Sequence, residues 1–198
     1  MTTENKRIAW FEDLTRTDVA RVGGKNASLG EMVRNLADRG VSVPPGFATT
    51  ADAYWTFIEA NSLKDVIATA LNEFAAGKAS LQETGHAVRR AVLRSDWPED
   101  IASEICEAYG ELSARSGHGE ADVAVRSSAT AEDLPDASFA GQQETFLNIR
   151  GKAALLDACR RCYASLFTDR AISYREANGF DHLEVALSVG IQKMVRSD

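Results

Sequence analysis

The sequence predicts an α+β fold, a mixed or antiparallel sheet packed by helices, with a helical layer around residues 50–115. Three observations lead there. Leu183, Val185, Leu187, Val189 and Ile191 alternate with Glu184, Ala186, Ser188, Gly190 and Gln192, the period-2 pattern of a strand. A β-branched run ending on Arg126 and an alternating run over 144–149 flank a long stretch of small, hydroxyl-bearing, acidic and turn-forming residues, which reads as a hairpin with an extended loop. Between residues 50 and 115, apolar residues recur at helical spacing instead.

Taken in order, Ile8 to Phe11 is a short apolar run that predicts an edge strand. Val22-Gly-Gly-Lys-Asn-Ala-Ser-Leu-Gly-Glu-Met32 then places two glycines and Lys25 at the mouth of a helix, with Leu29, Met32, Val33 and Leu36 as its apolar stripe and Gly40 as its close. Val41-Ser-Val-Pro-Pro-Gly-Phe47 predicts an extended connector, because each residue before a proline is pushed out of the α region. Thr49-Thr-Ala-Asp52 resembles a capping box opening a helix that buries Tyr54, Phe57 and Ile58. Helices follow around Ile67, Leu71 and Phe74, from a Ser80–Glu83 capping box onward, and from Asp96-Trp-Pro98 through Ile101, Ile105, Tyr109 and Leu112. Ser113 to Glu120 reads as a flexible junction. After the hairpin a helix runs to about Phe167, another runs to Asn178 and stops at Gly179, and the 183–191 strand comes last. The chain then stops at Asp198 with no closing element, which reads as a fragment of something longer.

Composition narrows the function classes. In 198 residues, 44% hydrophobic and 26% charged content is ordinary for a globular protein. A net charge of −7, with a pI near 5.1, argues against bulk binding to nucleic acid or anionic membranes, so any phosphate site must be local. No apolar run approaches a membrane span and the start of the chain is polar, which reads as cytoplasmic. Cys159 and Cys162 have CxxC spacing, but they lie in a helical apolar stripe with no second pair, which predicts packing rather than zinc. His86, His118 and His182 are scattered without metal-type spacing.

Chemistry concentrates in two places. Arg126 leads from its strand into Ser127, Ser128 and Thr130, a fixed cation beside hydroxyl and backbone donors that suits an oxyanion. Gly141 lets the loop backbone approach a ligand closely. At Lys25 an ammonium meets the free N–H groups and positive dipole end of a helix, a ready anion site. It is not a P-loop, since Asn26 stands where Ser or Thr belongs. Glu132 and Asp133 read as an exposed acidic turn or as aids to metal or water placement.

These stretches, together with Val43-Pro-Pro-Gly-Phe47, Val125-Arg-Ser-Ser-Ala-Thr-Ala-Glu-Asp-Leu-Pro135, Ser138-Phe-Ala-Gly-Gln-Gln-Glu-Thr-Phe-Leu-Asn148 and Gln192-Lys-Met-Val195, resemble the nucleotide-binding N-terminal part of the phosphoenolpyruvate synthases. That family also includes pyruvate phosphate dikinase, rifampicin phosphotransferases and glucan dikinases. The resemblance implies the first lobe of an ATP-grasp-like domain. It also implies a reaction in which ATP pyrophosphorylates a histidine on another domain, water removes one phosphate, and the remaining phosphoryl passes to pyruvate. It places Lys25 and Arg126 on ATP phosphates, Gly141 and Thr145 along the nucleotide, and Gln192 on the last strand of the site. The Mg2+ carboxylates, the phosphohistidine and the pyruvate barrel would all lie beyond Asp198, and the full-length protein could be a homodimer. A rifampicin-type phosphotransferase lobe and a non-catalytic nucleotide-sensing module are the alternatives.

Overall fold

Strand β1 (Ile8–Trp10) opens the chain, followed by two 3-10 turns and helix α1 (Val19–Ala37). Strand β2 (Gly46–Thr49) leads into helices α2 (Ala51–Ala60), α3 (Leu63–Ala75), α4 (Leu81–Arg94) and α5 (Glu99–Arg115). Strands β3 (Val123–Ala129) and β4 (Thr145–Ile149), helices α6 (Lys152–Ser165) and α7 (Asp169–Asn178), and strand β5 (Leu187–Lys193) complete it. The computed structural model describes residues 7–37, 39–117, 119–130 and 144–195; the expectations for Gly141, Glu132, Asp133 and His118 lie outside them. Among the described residues the strands form one sheet in the order β1-β2-β5-β3-β4, and every neighbouring pair is antiparallel. The α+β class expected from the sequence is the class observed.

The two faces of the sheet differ in side-chain size. Phe47, Val123, Val125, Val189 and Ile191 belong to a large core shared with α2 to α6, in which Tyr54, Phe57, Cys159, Cys162 and Tyr163 are also buried. Both thiols are free and part of this packing. The opposite face is paved with Ala9, Ala48, Gly46 and Gly190, and a smaller core of Phe11, Leu14, Val22 and Ala27 sits on it. Tyr109 ties the layers together, its hydroxyl donating to Ala121 O at 2.8 Å and accepting from Gly151 N at 2.9 Å.

Several boundaries depart from the sequence reading, each for a reason of pairing. β2 was expected as connector; it forms because β1 and β5 hydrogen-bond to both of its edges, which outweighs the flanking prolines. Thr49 is therefore a strand residue, and the expected capping box of α2 is absent: Thr50 takes the N-cap position without a side-chain cap bond. β3 runs past Arg126 to Ala129 because β5 continues beside it, so Ser127 and Ser128 are buried strand residues rather than loop. β5 begins at Leu187 and reaches Lys193, since pairing with β3 starts there and Leu183 and Val185 precede the ladder. Ser113 is no junction residue: it is buried inside α5 and its hydroxyl accepts from Ala121 N at 3.0 Å. The expected starts and stops that were marked by capping chemistry appear as such, with a capping box at Ser80–Glu83 and a left-handed Gly179 after α7.

β4 is not the simple alternating strand its sequence suggests. Val125 pairs with Phe146 but Val123 pairs with Ile149, so Leu147 and Asn148 together stand opposite Ala124. Asn148 takes the left-handed conformation, φ 56°, which Asn tolerates better than most residues. This bulge turns both Phe146 and Ile149 toward the core, although three positions separate them. Asn148→Val should therefore lower the unfolding free energy by about 1–2 kcal/mol, while Asn148→Gly should be near neutral; denaturant melts of the two variants check this.

Arg175 and His182 form a buried polar pair that the exposed Glu176 reaches from outside. Arg175 on α7 is buried, donates from Nε to His182 Nδ1 at 2.8 Å and from a terminal nitrogen to Leu166 O at 2.6 Å. Burial lowers its pKa to about 10. His182 Nε2 in turn meets Glu176 Oε1 at 2.8 Å. Burial holds the imidazole below its ordinary value; the Glu176 bond opposes this and the Arg175 charge reinforces it. The folded protein thus keeps His182 neutral, while the unfolded chain takes up the proton below about pH 6.5. The contribution is complete above that pH and is lost as pH falls through the lower folded value. Urea midpoints should drop just below about pH 6.5, before the carboxylates titrate, and His182→Gln should flatten that drop.

Candidate functional site

Helix α1 is two helices in series. Gly23 interrupts it with φ 73° and ψ 161°, a conformation that favours glycine. The helix restarts at Gly24, which puts Lys25 in a first turn, where unpaired N–H groups and the positive end of the dipole lie. The break presses on the end of β3: a Cβ at Gly23 would strike the Ser128 hydroxyl and come within 2.7 Å of Ser128 O and 2.8 Å of Ala129 O. The Ser128 hydroxyl is buried and has no hydrogen-bond partner among the described residues.

The stripe that α1 buries matches the expected one only in part: Leu29 and Val33 pack against the edge of the small core without forming its centre. Val22, Asn26 and Ala27, with the glycines, face the sheet, while Met32 is exposed and Leu29 half-buried. Small side chains on both surfaces bring helix and sheet together there, so the larger residues fall at the rim. Between them opens a crevice of about 200 Å3.

Lys25, Arg126 and Gln192, three residues expected at a ligand site, all line this crevice. Lys25 comes from the restarted helix and Arg126 from the middle of β3, both exposed. Gln192 is mostly buried on β5 and donates from Nε2 to Pro44 O at 3.1 Å. Thr145 does not line the crevice; it sits one strand further out on β4, paired with Arg126. Phe11, Leu29 and Met32 close one side. In a chain of net charge −7, the described residues lining the crevice include two cations and no carboxylate, an arrangement suited to a polyanion with an apolar part.

Sequence reasoning missed Asn26 and Gly190. Asn26 is 2% exposed, donates to Val22 O at 3.1 Å and to Ser188 Oγ at 2.9 Å, and its Oδ1 rests on Gly190. The signal available was Gly190 itself, since a glycine inside an apolar strand marks a close approach. Among the described residues no group of three or more His, Cys, Asp or Glu side chains is placed to hold a metal ion, and no helix is long and apolar enough to cross a membrane.

Comparison with known proteins matches residues 19–198 to the family described as pyruvate phosphate dikinase, AMP/ATP-binding domain. The chain is 54% identical to the phosphoenolpyruvate synthase of Synechocystis over 98% of its length. It is 51% identical over 96% of its length to that of Escherichia coli K12, and 46% identical over 98% to a probable phosphoenolpyruvate synthase of Methanocaldococcus jannaschii. It spans 24% of the Synechocystis and E. coli proteins and 16% of the archaeal one, about a quarter or less of each relative.

Proposed function

The chain belongs to the pyruvate phosphate dikinase AMP/ATP-binding domain family, and from that premise we propose that its crevice is the first-lobe half of an ATP site in a phosphoenolpyruvate synthase. The overall reaction is conversion of pyruvate, ATP and water to phosphoenolpyruvate, AMP and phosphate through a phosphohistidine on another domain. The observation that carries the reading is the meeting of Lys25 and Arg126, from distant parts of the sequence, at one crevice.

The residues present fit a polyphosphate. The Ser128 hydroxyl, buried and without a hydrogen-bond partner among the described residues, lies against the Gly23 break where the helix restarts, and a side chain at Gly23 would collide with it. Phosphoryl transfer asks a protein chiefly for positioning and charge stabilisation. Lys25 would neutralise phosphate oxygens as a point charge. Arg126 would do so through a planar fork on a strand held by two neighbours, β4 and β5. Gln192 would line the nucleotide, with Thr145 and Gly141 contributing from the hairpin. Mg2+, when bound, supplies further charge neutralisation of the phosphates, and this reading assigns its carboxylate ligands to the second lobe. Pyruvate as acceptor follows from the similarity to phosphoenolpyruvate synthases, and a role in gluconeogenesis, a cytoplasmic location and a full-length homodimer are further parts of the proposal. On this reading residues 1–198 alone do not turn ATP over.

In the full-length protein, Arg126→Ala should cut ATP-dependent phosphohistidine formation by roughly a hundred- to several-thousandfold while the melting temperature stays near wild type. Arg126→Lys should also be clearly impaired, because one ammonium does not replace a two-pronged contact. A variant that melts well below wild type yet keeps most of its phosphohistidine yield would contradict the assignment.

A further inference from the structure

We infer that Asn26 is a positioning residue: its buried carboxamide sets the placement of Lys25 relative to Arg126, and with it the preference for a triphosphate over a monophosphate. The inference rests on the ATP-site reading above and assigns a role to a side chain that has no donor left for a ligand.

Both hydrogens of the carboxamide nitrogen are committed within the protein. Nδ2 donates to Val22 O at 3.1 Å, the carbonyl just before the Gly23 break, and to Ser188 Oγ at 2.9 Å. Ser188 Oγ passes the chain on to Thr49 O, at 2.5 Å, and Thr49 Oγ1 accepts from Val189 N at 3.0 Å. Asn26, Ser188 and Thr49 are all buried, so each lost bond would leave a polar group unsatisfied away from water. The same side chain therefore holds the helix turn that carries Lys25 to β5 and, through Ser188, to β2.

The other half of the carboxamide bears on Gly190, the strand neighbour of Arg126. Oδ1 of Asn26 occupies the space a Cβ at Gly190 would need, and Gly190 is the β5 residue paired with Arg126 on β3. One side chain thus fixes the height of the Lys25 turn above the strand position that bears against Arg126. Aspartate at 26 would lack both donors, a longer side chain would not fit above Gly190, and an apolar one would take from Ser188 Oγ and Val22 O the hydrogen bond each accepts from Asn26. Because Asn26 acts through two cations that would meet phosphates, its removal should fall on the outer phosphates more than on the nucleoside part of the ligand.

The test measures ATP and AMP affinity by calorimetry in the full-length protein, for wild type, Asn26→Ala and Asn26→Ala/Gly190→Ala. In the double variant the new methyl at 190 fills the space vacated by Oδ1, so its melting temperature should recover toward wild type while the helix–strand tie stays cut. Both variants should lose about tenfold in ATP affinity, the size of one displaced charge-assisted hydrogen bond, with AMP affinity held within about twofold. Parallel losses for ATP and AMP would show a merely structural residue and overturn the inference, as would unchanged ATP affinity. A double variant no more stable than Asn26→Ala would overturn the proposed Oδ1–Gly190 contact. Wild-type protein that binds no ATP would instead overturn the ATP-site reading itself, a result separable from the variant outcomes.

Discussion

Close approach of one helix to one face of the sheet is the constraint on which the rest of the molecule depends. Three glycines make it possible, each at a contact where a side chain would collide. Gly23 lies against Ser128, Gly190 lies under Asn26, and a Cβ at Gly30 would come within 2.5 Å of Leu14, which belongs to the small core on that face. Removing side chains from a strand costs packing and backbone entropy. The return is geometric: a helix N-terminus with a lysine in its first turn comes down beside a strand carrying an arginine.

The opposite face supplies the rigidity that this arrangement consumes. Tyr54, Phe57, Trp97 and Tyr163 pack with ring centroids 4.9 to 5.5 Å apart, and each fully buried large apolar side chain contributes on the order of 1.5–3 kcal/mol. The indole N–H of Trp97 is satisfied by Leu156 O at 3.1 Å. Arg89 bonds Phe167 O and Asp169, both at 2.8 Å, and so joins α4 to the start of α7. The sheet is thus anchored by large residues on one side and kept bare on the other, a division of labour that runs with period 2 along β1, β2, β3 and β5.

Much of this division was legible in the sequence, and what was not has a physical cause. The helices of the 51–115 region follow from apolar periodicity, and their ends from Ser80 and Pro98, because capping is local chemistry. Lys25 and Arg126 could be singled out as candidates because cations beside glycines and hydroxyls are unusual, whereas Gln192 came only from the family resemblance. The ends of β2, β3 and β5 could not be read, since they are set by cross-strand partners up to a hundred residues or more away. The buried stripe of α1 was read only in part, since Leu29 and Val33 do pack at its edge, because hydrophobic size was taken as the guide to the inside, whereas the closest contacts of this helix are made by small residues. For the same reason Asn26 was passed over: a polar residue next to a lysine looks like surface until its partners Ser188 and Gly190 are folded beneath it.

The central claim is that helix α1 and the bare face of the sheet form one nucleotide-binding surface. Hydrogen–deuterium exchange of the full-length protein with and without ATP tests it most directly. Protection on adding ATP should appear together in the segments 23–32, 125–128 and 188–193. Protection confined to the α4–α6 side of the sheet, or exchange unchanged in all three segments under saturating ATP, would contradict the account.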